Sequence, residues 1–483
     1  MVYLLYQRFA FVYTPLLALP GKRNQFISIM KRLILLTSIF LAAISSFCKN
    51  NPLEIAYHHS LIPEETTAVS ANEFLNSMGA CSSVSKRGET IEGTIECMRY
   101  TGLRWLRVGY EDNAPVEDFI RLHNEAGTKF SYGLLSGKSD IDRLIRDSKQ
   151  LAAVGALIAV EGANEPNNWG ITYQEETGGN KASWLPVAKL HRDLYRAVKN
   201  SPGLNDIPIW GTTETGAQTD NVGLHFLTIP ENANTLMPPG TVYADYANCH
   251  NYVSHPNRNG LFDNQTWNAS DPSKECKVDG LHGNYGQTWL NKFPGYPEEE
   301  LLTLPRVTTE TGIAINPSQG ITEEIQARMY LNIYLSQFKR GWKQTAIYLL
   351  KGRSNEPEHE KFAFFKLDYT PKQAARYVHN FTTILADDKE PASLDKISYS
   401  IPDKPETTHD LLLQKSNGHL FLVLWGERFG SGGSDNITVQ LGKKYREVNI
   451  YDPTVGTSVL KRFTHTEFVT LSLSDHPVII EFY

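Results

Sequence analysis

The stretch Ala156-Leu157-Ile158-Ala159-Val160-Glu161-Gly162-Ala163-Asn164-Glu165-Pro166-Asn167-Asn168-Trp169-Gly170 joins five apolar residues to a burst of polar ones. A short apolar run closed by turn-forming residues reads as a fully buried strand. The polar burst exceeds the needs of a turn, for which Asn, Pro or Gly is enough. Two carboxylates, three asparagines and a tryptophan within ten residues leave two readings open. The segment is either a solvated acidic loop or the rim of a site.

Seven further runs have the same look: 76–83, 103–109, 129–135, 207–213, 243–252, 305–310 and 345–351. Between them, 115–126, 138–153, 183–200 and 319–340 read as amphipathic helices. In the last, Ile325, Met329 and Ile333 recur at four-residue spacing, as one buried helix face requires. Eight strand–helix units over 72–385 predict an α/β fold, a closed (β/α)8 TIM barrel. The rival, a doubly wound open sheet, would carry a Gly-rich phosphate loop after an early strand, and the chain has none. The connection 253–304, rich in Asn, Gly and aromatics including Trp267, Tyr285 and Trp289, is long enough to be a functional lobe.

After residue 385 the rhythm changes. Short alternating strands succeed one another without helices, and Asn417-Gly418 marks a hairpin. Residues 386–483 therefore predict an all-β sandwich domain, to which the linker 49–71 can add a strand.

Residues 30–48 have the layout of a secretory signal: Lys31 and Arg32, an apolar core, then small residues. Met30 reads as the true start. The first 47 residues hold five basic residues and no acidic ones, so their removal takes the net charge from −6 to −11. The expectation is an acidic, exported protein: periplasmic, extracellular, or anchored to the outer membrane as a lipoprotein through Cys48. The charge leaves no basic surplus for nucleic acid. In an oxidising compartment the remaining Cys81, Cys97, Cys249 and Cys276 predict two disulfides, most simply Cys81–Cys97 and Cys249–Cys276.

In a barrel, the carboxyl ends of the strands face the active site. Glu165 comes just after the fourth strand, and Glu310 closes the seventh in Thr309-Glu310-Thr311-Gly312. Such a pair can meet across the mouth and is what glycosidic hydrolysis needs: an acid for the leaving oxygen and a carboxylate for the oxocarbenium-like centre. Asn164 suits a hydrogen bond to a sugar hydroxyl, and Trp169 is either a sugar platform or a loop anchor. Glu161 reads as a rim or structural carboxylate. Glu214, in a second Thr-Glu-Thr-Gly after strand five, is a decoy. No cluster has metal-ligand spacing such as His-Glu-x-x-His, so neither a metal nor another cofactor is expected.

Asn-Glu-Pro after strand four and Thr-Glu-Thr-Gly at strand seven resemble clan A glycoside hydrolases, a group of retaining (β/α)8 enzymes. The resemblance implies Glu165 as acid/base and Glu310 as nucleophile. His250-Asn251-Tyr252 is similar to the clan's His-x-Tyr, which orients the nucleophile, and Arg107 matches an arginine beneath it. The strand-eight end departs from the clan, with Tyr348-Leu349-Leu350 where a Trp is common. That leaves Tyr348 or the 253–304 lobe, with Trp289, to supply the platform. Within the clan, 160–170, 283–289 and 362–385 look most like glycoside hydrolase family 39 and its exopolysaccharide-cleaving relatives. The implied function is a retaining β-glycosidase on a β-linked polysaccharide or oligosaccharide, and the aromatic-rich strand-end loops, which suit an open cleft, favour endo action. An exo-acting β-xylosidase type and a non-catalytic glycan-binding barrel stay open.

Overall fold

The computed structural model describes residues 65–110, 113–180, 182–213, 221–252, 303–405, 407–427 and 433–483. The expectations for the signal segment and Cys48, for Glu214, and for Cys276 and Trp289 in the long connection lie outside these residues.

Each of the eight apolar runs contains a strand. Met78–Cys81, Trp105–Gly109, Lys129–Gly133, Leu157–Glu161, Ile209–Trp210, Ala247–His250, Arg306–Thr311 and Thr345–Ile347 succeed one another around one parallel sheet. The eighth pairs with the first, Thr345 against Met78. Strand five meets strand six through a parallel bridge from Trp210 to Tyr246, and the Gly211 N–H donates to the Tyr246 carbonyl at 2.9 Å. The ring is a (β/α)8 barrel. Val116–Ala126, Ile141–Ala153, Leu185–Lys199 and Glu323–Lys339 occupy the four expected helical segments, joined by Ile91–Thr101 and Gln373–Leu385. Between strands five and six, residues 221–246 form turns instead. Local chemistry sets the helix ends. The Thr90 and Thr322 hydroxyls accept the Gly93 and Ile325 N–H groups, each at 3.2 Å, and Gly102 closes its helix at φ 67°.

Period-two alternation divides the barrel strands between two environments. Leu106, Val108, Phe130, Tyr132 and Val160 point outward into the layer shared with the helices. Trp105, Ala159, Trp210, Val307 and Ala346 fill the interior. The Trp105 indole lies where a Cβ on Gly79 would stand, 2.3 Å away, so only glycine fits there. Two residues further along their strands come Arg107, Glu161 and Thr309, with Asn248 on strand six, all buried. The interior thus passes from apolar to charged towards the carboxyl ends of the strands.

The second region comprises Lys396–Ser400, Thr408–Gln414, Leu420–Gly426, Asp435–Tyr451, Lys461–Leu473 and Val478–Phe482. Glu65–Thr67 pairs antiparallel with its first strand, and Val69–Ser70 pairs parallel with Leu413–Gln414. The long strand 435–451 pairs through Leu441 with Tyr399 and through Val448 with Phe482, with a register shift after Gln440. A shift of that kind bends a strand, letting it serve both layers of a sandwich. Leu412, Leu422, Leu424 and Ile480 point into the sandwich core. Their neighbours Leu411, Leu413, Phe421, Val423, Trp425 and Ile479 join the core of the barrel. Both faces of strands Thr408–Gln414, Leu420–Gly426 and Val478–Phe482 are therefore buried. Helix Glu323–Lys339 is in turn buried beyond the single face its apolar spacing predicts. Asn332 donates to the Gly426 and Asp475 carbonyls, each at 3.0 Å, and the Trp425 indole donates to the Ser336 hydroxyl at 3.1 Å.

The expected Cys81–Cys97 disulfide does not form. Both are buried free thiols. Cys81 belongs to the barrel interior and Cys97 to the layer of helices outside it, so the strand wall separates them. Cys81 instead donates to the Thr309 carbonyl at 3.1 Å.

Candidate active site

Arg107 organises the site from below. Its Nε donates to both oxygens of Glu161, at 2.9 and 3.1 Å. Nη1 donates to Glu310 Oε1 at 2.5 Å, and Nη2 to Asn164 Oδ1 at 2.8 Å. Glu161 has no exposed surface and also accepts from Thr309 Oγ1 at 3.0 Å, Ser131 Oγ at 3.3 Å and Asn248 Nδ2 at 3.4 Å. A buried charge is tolerable only when paired and hydrogen-bonded. Burial disfavours the guanidinium, but Glu161 and Glu310 overcome this and hold Arg107 above its usual pKa. Glu161 lies in the interior, beneath the rim, and fixes Arg107 for the two groups above it.

Glu165 and Glu310 stand at the ends of strands four and seven, as their sequence positions predict. Tyr252 Oη donates to Glu310 Oε2 at 2.6 Å. His250 Nδ1 lies 2.6 Å from Glu165 Oε1 and 3.5 Å from Glu310 Oε2, while its Nε2 is 3.3 Å from Thr309 Oγ1. The His-x-Tyr pair therefore divides its work, the tyrosine on Glu310 and the histidine between both carboxylates but nearer Glu165.

The loop carrying Glu165 is tied down at nearly every peptide. The Asn164 N–H donates to the Leu134 carbonyl at 2.9 Å, and the Glu165 N–H to Thr213 Oγ1 at 2.8 Å. The Asn168 and Trp169 N–H groups both donate to the Glu165 carbonyl at 2.8 Å. Glu165 has φ 39°, a region that disfavours any residue with a Cβ and needs surrounding support.

Burial pushes the Glu165 carboxyl up. The hydrogen bond and charge of His250, the Asn168 amide at 2.9 Å and Arg107 outweigh it and bring the pKa down to about 2. His250 Nδ1, 2.6 Å from Glu165 Oε1, is placed to exchange a proton with this carboxyl. Burial and the nearby Glu310 raise the Tyr252 hydroxyl well above its usual pKa, keeping it a donor.

Glu165, His250 and Glu310 each offer an atom within 4.8 Å of the others, the one such trio among the described residues that could hold a metal ion. Arg107, 2.5 Å from Glu310, already supplies the positive charge an ion would bring.

Asn164, Glu165, Arg107, His250, Tyr252 and Glu310, all named from sequence, come together here. Trp169 sits on the same loop with 52% of its surface exposed. At the strand-eight end Tyr348 packs edge-on against Tyr252, ring centroids 6.4 Å apart, and its hydroxyl meets His359 Nδ1 at 2.9 Å and Arg353 Nη1 at 3.1 Å. Sequence reasoning missed Ser131, Thr213, Asn248 and Thr309. For Thr309 a signal existed, since it shares inward parity with Val307.

No protein-family model matches the sequence, and no curated protein matches it. Solved structures do. A family 39 glycoside hydrolase from the gut symbiont Bacteroides cellulosilyticus WH2 aligns with a TM-score of 0.53 at 14% identity, over 86% of this chain and 82% of that one. CelM2, a bifunctional glucanase-xylanase from a metagenome library, aligns with a TM-score of 0.51 at 11% identity, over 87% and 99%. The chain has their fold. The barrel and the following sandwich expected from the strand–helix rhythm and the strand alternation are the architecture found.

Proposed function

We propose that the protein is an exported retaining β-glycoside hydrolase that cleaves a polysaccharide or oligosaccharide internally. One observation carries this reading: oxygens of Glu165 and Glu310 lie within 4.8 Å at the carboxyl ends of barrel strands. Retaining enzymes hold their carboxyl groups about 5–5.5 Å apart, whereas inverting ones leave about 6.5–9.5 Å for a water. The two glycosidases that share the fold support the same class.

In this reading Glu310 attacks the anomeric carbon while Glu165, ionised in the free enzyme and protonated through His250 as the sugar binds, gives that proton to the departing oxygen. The C–O bond breaks and a glycosyl ester forms on Glu310. Arg107 and Tyr252 hold the attacking carboxylate in line. Having given its proton to the departing oxygen, Glu165 is now a carboxylate, and the loss of the Glu310 charge on esterification keeps it ionised and free to take a proton from the incoming water. Water then replaces Glu310, and configuration is retained. Asn164, held through its oxygen by Arg107 and through one amide hydrogen by Ser136 Oγ at 3.4 Å, keeps the other for a sugar hydroxyl, and the exposed Trp169 ring offers a stacking face.

A panel of β-glycans tests the proposal, with products sized by mass spectrometry. Mixed internal fragments support endo action, and single sugar units favour the exo alternative. Products that persist in Glu310→Ala at the wild-type rate would overturn the assignment. The length of the mature chain and a lipid mass on Cys48 test export and anchoring.

A further inference from the structure

The helix Leu185–Lys199 turns Val187, Ala188, Leu190, Leu194 and Val198 inward, with His191 among them. His191 has no exposed surface. Its Nε2 accepts the Ala163 N–H at 3.0 Å, so the neutral ring carries its proton on Nδ1. That Nδ1 is buried and has no hydrogen-bond partner among the described residues. A leucine would fill an apolar face without an unsatisfied nitrogen, so the histidine is not explained by packing. The ring lies where a Cβ on Gly162 would be, its Cε1 1.9 Å from that point, so glycine at 162 is what lets the imidazole reach the next peptide.

That peptide is two residues before Glu165. The Ala163 carbonyl accepts from Thr212 Oγ1 at 3.0 Å, and the Glu165 N–H is held by Thr213. His191 thus grips from the helix side a segment that strand five grips from the other, and between them they sustain Glu165 at its positive φ.

We infer that His191 is a positioning residue for the acid/base, fixing the Glu165 carboxyl by anchoring the Ala163 amide. This rests on the glycosidase reading for its catalytic consequence, but not for its structural one. Burial lowers the His191 pKa to about 4, which keeps Nε2 an acceptor at neutral pH.

His191→Leu removes the acceptor, and His191→Gln restores one. Hydrogen–deuterium exchange over residues 157–166 needs no substrate: exchange should quicken in the leucine variant and return towards wild type in the glutamine one. Unchanged exchange in the leucine variant overturns the anchor, whatever the enzyme's substrate. Catalysis gives the second readout. Glycosides with poor leaving groups need the acid, whereas dinitrophenyl glycosides depart without it. The leucine variant should lose about tenfold to a hundredfold in kcat on the former, with KM and the dinitrophenyl glycosylation rate near wild type. The glutamine variant should recover most of the loss. Equal losses on both substrates would reduce His191 to a structural role. If the leucine variant does not fold, His191→Met takes its place in the same comparison.

Discussion

Along the second barrel strand the inward residues are Trp105 and Arg107; along the sandwich strand Leu420–Gly426 those facing the sandwich core are Leu422 and Leu424. The same alternation serves both strands, yet one interior ends in charge and the other stays apolar. In the barrel, Arg107 and Glu161 are buried with Asn248 and Thr309 around them, held by hydrogen bonds at 2.9–3.4 Å. In the sandwich, Ile397, Leu412, Val439, Val469 and Ile480 meet one another. Burying a charged cluster gives little net stability, whereas burying aliphatic groups gives much. The barrel interior is therefore shaped by what it must hold in place, and the sandwich interior by stability alone.

Substitutions can break that contrast. The largest effect is expected for Arg107→Leu, which strands Glu161 and Glu310 without their cation. Unfolding by urea should show a loss of about 3–5 kcal/mol, and hydrolysis should vanish. A variant as stable as wild type would mean the carboxylates do not depend on the guanidinium. Leu424→Ala should cost about 2–5 kcal/mol through its cavity, while kcat of the folded fraction stays unchanged. A fall in kcat would show that the sandwich shapes the site.

Tyr252→Phe deletes a single donor to Glu310. Since a hydrogen bond to a charged group contributes about 1.5–3 kcal/mol, kcat should fall about tenfold to a hundredfold with the melting temperature nearly constant. The smallest effect lies where the two regions join. Burial raises the Glu427 carboxyl to about 7 although Ser336 and Trp425 donate to it. Its pKa is higher folded than unfolded, so the unfolded chain loses the proton first as pH rises. Stability should thus decline from about pH 4.5 to about pH 7, and Glu427→Gln should flatten that slope by a few degrees of melting temperature. An unaltered slope would mean that Glu427 does not titrate between those limits.

Much of the fold and of the site was legible in the residues. Each apolar run contained its strand, because a buried parallel strand needs a continuous apolar segment. Glu165 and Glu310 could be paired because strand ends converge in a barrel. What sequence concealed depended on distance through space. Nothing adjacent to Cys81 reveals that the strand wall divides it from Cys97. His191 reads as one more residue on an apolar helix face until Gly162 is found beneath its ring. Glu161 was ambiguous because a carboxylate after a strand can face water or the interior; the inward parity of Ala159 was the clue.

The role of Glu310 as nucleophile of a double displacement is tested most directly by trapping. The enzyme is incubated with the 2-deoxy-2-fluoro glycoside of whichever sugar it cleaves, and the labelled peptide is mapped by mass spectrometry. One fluoroglycosyl unit, esterified to Glu310, is the expected result. Attachment to Glu165, or turnover with inverted configuration and no covalent adduct, would contradict it.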